Sequence, residues 1–145
     1  MFQQCRLGIA NADDRYFKDV FKNATCKVET FGFCKEADLR AEDVNLVSRP
    51  GYLGVAYHVA GVMDFDVEID VPGTFSVYNS LTAIAVCRHF DVPKEHIQAA
   101  LKKAKVKGRI EMVKVSDEFT LMIDYAHNAM SLELSLIHIS EPTRL

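Results

Sequence analysis

Arg6-Leu7-Gly8-Ile9-Ala10-Asn11-Ala12-Asp13-Asp14, together with the chain onward to Phe31, decides the fold class. Arg6 to Ala10 is a short buried-strand pattern that empties into Asn11–Asp14, a turn and helix-capping sequence. Apolar residues then recur at Tyr16, Phe17, Val20 and Phe21, the spacing of one helix face. Cys26-Lys27-Val28-Glu29-Thr30-Phe31 alternates as a strand and stops at Gly32. Strand, helix and strand in this order predict parallel pairing, because the helix returns the chain to the end of the sheet from which it set out. An α/β fold is the consequence. Asp13 and Asp14 read here as helix caps.

Downstream the pattern changes. Val44-Asn45-Leu46-Val47 reads as a strand, Ser48-Arg49-Pro50-Gly51 as a turn, and Leu53 to Val59 as a second strand. Val62 to Val71 alternates apolar residues with Asp64, Asp66, Glu68 and Asp70, the mark of a strand with one wet face. Those acids read as a solvated edge rather than a metal site. Two or three antiparallel strands are thus expected beside the parallel ones. Pro72-Gly73-Thr74 breaks the sheet, and Phe75 to Phe90 has a helical pattern. Val77, Leu81, Ile84, Ala85 and Phe90 are expected to share its buried stripe. Pro93 suits the first turn of a second helix, with Ile97, Ala100, Leu101 and Ala104 on one face. Gly108 closes a lysine-rich helix end. Ile110–Val115 and Phe119–Ile123 then read as strands around Ser116-Asp117-Glu118.

Composition excludes several functions. A net charge of −3 lacks the basic surface of a nucleic-acid binder. Lys102, Lys103, Lys105 and Lys107 are read as a solvated helix end favoured by the helix dipole. No apolar run approaches the roughly 20 residues needed to span a bilayer. Nor does the start carry a basic region leading into an apolar core, so neither membrane insertion nor a secretory leader is expected. A cytoplasmic location is therefore expected. Cys5, Cys26, Cys34 and Cys87 form no C-x-x-C pair, and no histidines stand at zinc-site spacing. Neither zinc nor disulfides are expected.

Three segments carry chemistry. Asp124-Tyr125-Ala126-His127 comes after the apolar run Phe119–Ile123 and precedes Ser131-Leu132-Glu133. Polar groups where a strand ends in an α/β protein commonly line a ligand crevice. Pro72-Gly73-Thr74-Phe75-Ser76-Val77-Tyr78-Asn79 opens an alanine-containing helix, and Gly108-Arg109-Ile110-Glu111 sits between a helix and a strand. Alone, Asn79 would be a capping or surface residue, and Gly-Arg-x-Glu a helix stop. Together and in order, these segments resemble the Mur ligase family, closest to the branch that adds the third residue to the UDP-N-acetylmuramoyl peptide. Gly8–Asp14, Thr30-Phe31-Gly32 and Ala37–Asp43 keep the same order, so the resemblance runs from residue 1 to about residue 133.

The resemblance implies a fold, a domain plan and a site. Residues 1–107 would be the C-terminal part of the family's central P-loop-type, ATP-binding domain, with parallel strands, a small antiparallel sheet and helices. Residues 108–134 would open a Rossmann-like C-terminal domain. Asn79 matches the amide that hydrogen-bonds the adenine of ATP, a task suited to a group with both donor and acceptor. Ser76 departs from the pattern, where the family usually carries a first Asn. Arg109 matches an arginine near the nucleotide, where a planar guanidinium pairs with phosphate or stacks on a base. Asp124 matches an acid at the ATP ribose, and Tyr125 and His127 match residues close to the nucleotide. ATP and Mg2+ are the implied cofactors. A UDP-N-acetylmuramoyl dipeptide and a free amino acid are the implied substrates, and the full-length enzyme would be a monomer.

No G-x-x-x-x-G-K-[ST] phosphate loop occurs in these 145 residues. In the family that loop, the magnesium ligands and a carbamylated lysine lie upstream, and the amino-acid-selecting motif lies downstream. The chain is therefore expected to hold nucleotide-contacting residues and no catalytic ones, and to be inactive alone. Related readings are a folylpolyglutamate- or cyanophycin-type ligase and a non-catalytic module on the same subdomain. Residues 135–145 resemble a translated sequencing adaptor and are expected to be a non-native tail.

Overall fold

Residues 4–49, 52–106, 111–113, 121–127, 129 and 132–133 are described by a computed structural model of the chain. The opening unit pairs as its pattern requires. β1 (Leu7–Asn11) and β2 (Lys27–Gly32) run parallel, with Leu7 opposite Lys27 and Asn11 opposite Phe31, and α1 (Phe17–Phe21) lies between them in sequence. β3 (Leu39–Arg49) joins β2 in parallel only at Phe31↔Leu39 and Gly32↔Arg40. It then continues as one arm of an antiparallel hairpin with β4 (Tyr52–Gly61), which pairs antiparallel with β5 (Phe65–Ile69). One five-stranded mixed sheet results, in the order β1-β2-β3-β4-β5.

β3 is longer than its sequence pattern suggested. Leu39 and Ala41 point into the core, but Asp43 has φ 52° and the pairing shifts register between Glu42 and Asn45. A bulge of this kind breaks the two-residue alternation, so only the stretch after it reads as a strand.

Two helices cover the sheet. α2 (Thr74–Arg88) packs on β1, β2 and β3, and α3 (Lys94–Lys103) on β5. The stripe of α2 is largely as expected: Val77, Leu81, Ile84 and Ala85 are fully buried in the core that holds Leu39, Val55 and Val59. Each of the larger aliphatic side chains contributes about 1.5–3 kcal/mol of burial. Phe90 does not join them. The helix ends at Arg88, and Phe90 stands 76% exposed. On α3 Ile97 is buried, Leu101 and Ala104 half-buried, and Ala100 exposed, so the expected face is narrower.

α1 buries none of its residues fully: of the amphipathic face expected there, Phe17 and Phe21 are half-buried, and Tyr16 and Val20 are both 53% exposed. β6 (Glu111–Val113) and β7 (Leu121–Ile123) form a separate antiparallel pair. No helix among the described residues is long and apolar enough to cross a membrane.

Candidate functional site

The start of α2 builds the principal recess. Gly73 has φ 92° and ψ 154°, a backbone conformation closed to most side chains, and it turns the chain from Pro72 into the helix. Ser76 Oγ donates to Pro72 O at 2.9 Å and holds that turn. Ser76, Asn79, Ser80 and Ala83 then repeat at helical spacing along one side of α2. With Phe75, they line a cavity of about 380 Å³ closed by Ile69 and Val71 at the end of β5 and by Leu101, Ala104 and Val106 of α3 and the residues after it. Lys105 Nζ lies 3.2 Å from Asp70 Oδ2, tying that last wall to the end of β5.

The polar groups of the cavity are unequal. Ser80 Oγ donates to Val77 O at 2.9 Å. Its single proton is therefore committed, so the Tyr57 hydroxyl, 2.6 Å away, donates to Ser80 Oγ. Burial holds that phenol protonated to well above the usual tyrosine range, against the opposing effect of the Ser80 bond. The Asn79 side chain, by contrast, is exposed and bonds no described residue. The arrangement is an apolar slot with one uncommitted amide at its mouth. A flat heterocycle with donor and acceptor edges has the matching chemistry.

A second cluster lies where β1 and β2 end. The Asp13 carboxylate accepts Phe33 N–H at 2.6 Å, Cys34 N–H at 3.1 Å and the Tyr78 hydroxyl at 3.0 Å. Burial works against its ionisation, but bonds from the Phe33 amide, the Cys34 thiol, Tyr78 and the Cys34 amide outweigh that and lower its pKa. Tyr78, half-buried, is pushed up to about 12 by burial and by Asp13. Its ring meets Phe33 edge-on at 5.0 Å. A Cβ on Gly32 would lie 2.6 Å from Asp13 Oδ2, so the close approach needs glycine there.

Asp13 is thus no helix cap; it ties the loop after β2 to α2, one residue from Asn79. Its partners lie 20, 21 and 65 positions away, so no local pattern announces them. Asp14 does hold a local turn, accepting Tyr16 N–H at 2.7 Å.

The segment after β7 has a different setting. Asp124 is half-buried, and Tyr125 is 67% exposed. The Tyr125 and His127 rings meet at 5.0 Å, with His127 Nδ1 3.3 Å from Tyr125 O. The structure brings these two together. None of Asp124, Tyr125 and His127 is among the residues lining the Asn79 cavity. Arg109 and Gly108 lie outside the described residues, as does the 135–145 segment.

On the antiparallel part, the acids in β5 and just before it find partners. Asp66 Oδ1 lies 2.8 Å from His58 Nδ1, Asp64 3.7 Å from His58 Nε2, and Glu68 3.1 Å from Arg49. The Asp66 bond chiefly raises the pKa of His58. Among the described residues no group of three or more His, Cys, Asp or Glu is placed to hold a metal ion.

Comparison with known proteins identifies the family. The model of the Mur ligase middle domain matches residues 1–87. The UDP-N-acetylmuramoyl-L-alanyl-D-glutamate–2,6-diaminopimelate ligase of Halalkalibacterium halodurans is 36% identical over 140 residues, covering 95% of this chain and 28% of that protein. Ligase 1 of the same name from Clostridium acetobutylicum is 34% identical over 136 residues, covering 92% and 28%. Among solved structures, the UDP-N-acetylmuramoylalanyl-D-glutamyl-2,6-diaminopimelate–D-alanyl-D-alanyl ligase of Acinetobacter baumannii superposes with a TM-score of 0.76 at 20% identity. It is matched over 89% of this chain and 28% of its own. The chain thus spans little more than a quarter of the length of these relatives. Its mixed sheet covered by helices is the Mur ligase middle-domain fold, and the chain belongs to the Mur ligase family.

Proposed function

We propose that the chain is a segment of an ATP-dependent ligase that joins diaminopimelate to UDP-N-acetylmuramoyl-L-alanyl-D-glutamate, with Asn79 meeting the adenine of ATP. The substrate assignment rests on the names of the similar ligases. The single observation behind the nucleotide assignment is the uncommitted Asn79 amide at the mouth of an apolar cavity of about 380 Å³. Such a slot suits a purine, and a carboxamide can offer both a donor and an acceptor to its edge.

In this reading Arg109 faces the nucleotide and Asp124 accepts from its ribose hydroxyls, with Tyr125 and His127 close by. Residues 108–134 open the next domain, a division supported by the separate β6–β7 sheet. The reaction passes a γ-phosphoryl group to the substrate carboxylate, and the incoming amine then displaces phosphate from the acyl phosphate. Magnesium, held by residues outside this chain, would supply charge stabilisation.

The test is Asn79→Ala in the full-length ligase. Losing a base-edge hydrogen bond of about 1.4 kcal/mol raises KM for ATP roughly tenfold, with kcat changed far less. An unchanged KM for ATP overturns the assignment.

A further inference from the structure

We propose that Cys5 and Cys26 form a dithiol that a small-molecule disulfide oxidises to an intramolecular disulfide, clipping together the starts of β1 and β2. The two Sγ atoms lie 3.2 Å apart, with Cys5 donating to Cys26. Cys26 directly precedes β2, and Cys5 stands two residues before β1. Because the strands are parallel and paired from Leu7↔Lys27 onward, the ladder holds both residues at the same end of the sheet. A disulfide would shorten this 3.2 Å contact between the sulfurs to a bond of about 2 Å.

Both thiols are half-buried and within reach of a small oxidant. The other two are placed differently: Cys34 sits against Asp13, and Cys87 packs on the core. The neighbouring Cys5 thiol, with burial, holds Cys26 above the usual thiol range. One protein thiolate attacks a sulfur of the small disulfide, forms a mixed disulfide and expels one small thiolate. The second protein thiolate attacks that protein sulfur and expels the other. Two protein thiols and one small disulfide thus become one protein disulfide and two small thiols. The clip lies at the end of β1 and β2 opposite to Asp13, so it tightens the sheet without touching the Asn79 cavity. The dithiol is independent of the ligase assignment.

Oxidised glutathione, applied to the purified 145-residue chain with and without urea, tests it by thiol titration and peptide mass mapping. Without urea, the four free thiols should fall to two. The linked peptide should join Cys5 to Cys26 and weigh about 2 Da less than its reduced parts. Cys26→Ser should instead leave a glutathione adduct on Cys5, and the clipped chain should melt at a higher temperature than the reduced one. Retention of all four thiols overturns the proposal, as does a spread of pairings without urea that matches the one in urea.

Discussion

Replacing Asp13 by alanine removes the acceptor for the Phe33 amide, the Cys34 amide and the Tyr78 hydroxyl at once. A hydrogen bond to a charged group contributes about 1.5–3 kcal/mol where water is excluded. Asp13 is exposed, so solvent competes, and each bond is discounted to roughly 0.5–1 kcal/mol. The expected loss at pH 7 is about 2 kcal/mol. Asp13→Asn keeps the shape but sets an NH2 against a backbone donor and should cost about 1 kcal/mol. Tyr78→Phe, which removes one bond, should cost roughly 0.5–1 kcal/mol.

The pH dependence has a definite sign. The folded-state pKa of Asp13 is depressed, so its contribution is complete above the unfolded value of about 3.9 and fades as pH falls through the folded value. Urea unfolding of the 145-residue chain at pH 7 and near pH 3 measures both effects. The gap between wild type and Asp13→Ala should shrink at the lower pH. A gap below about 0.5 kcal/mol at pH 7, or one independent of pH, refutes the reasoning.

Glu29, only 3% exposed, pairs with Arg88 at 3.1 Å and His89 at 3.0 Å. Glu29→Gln should therefore cost about 3 kcal/mol, read as a fall of several degrees in Tm, and adding Arg88→Met should recover part of it. A double variant no more stable than the single one would count against a paired-charge explanation. His58 should titrate by NMR above the ordinary value of about 6.5, and Asp66→Asn should bring its midpoint down. That pairing stabilises fully below the ordinary value and is lost as pH rises through the folded one. The 145-residue chain, which carries no phosphate-loop motif, should neither ligate nor hydrolyse ATP at an enzymatic rate. A phosphate-release assay reads this, and steady turnover by the pure chain would contradict it.

Much of the sheet was legible because its signals are local. Alternation in Cys26–Phe31 and the turn at Asn11–Asp14 suffice to give the parallel β1–β2 pair, and helical spacing gives the α2 stripe. Local pattern fails where tertiary contact decides. The bulge at Asp43 hid half of β3, and α1 keeps its apolar spacing while burying no side chain fully. The candidate site divides the same way. Asn79 was singled out from its motif, and the cavity beside it depends on Ile69, Leu101 and Val106, which no motif connects. Asp13 was visible as an acid at a strand end, but its work depends on partners as distant as Tyr78.

The central claim is that an amide, a guanidinium and a carboxylate meet one purine nucleoside. A crystal structure of the full-length ligase with a non-hydrolysable ATP analogue measures it directly. The expected result is the Asn79 amide within about 3 Å of the adenine edge, Arg109 beside the base or phosphates, and Asp124 on the ribose hydroxyls. A nucleoside bound away from Asn79, with Arg109 and Asp124 facing other directions, would contradict it.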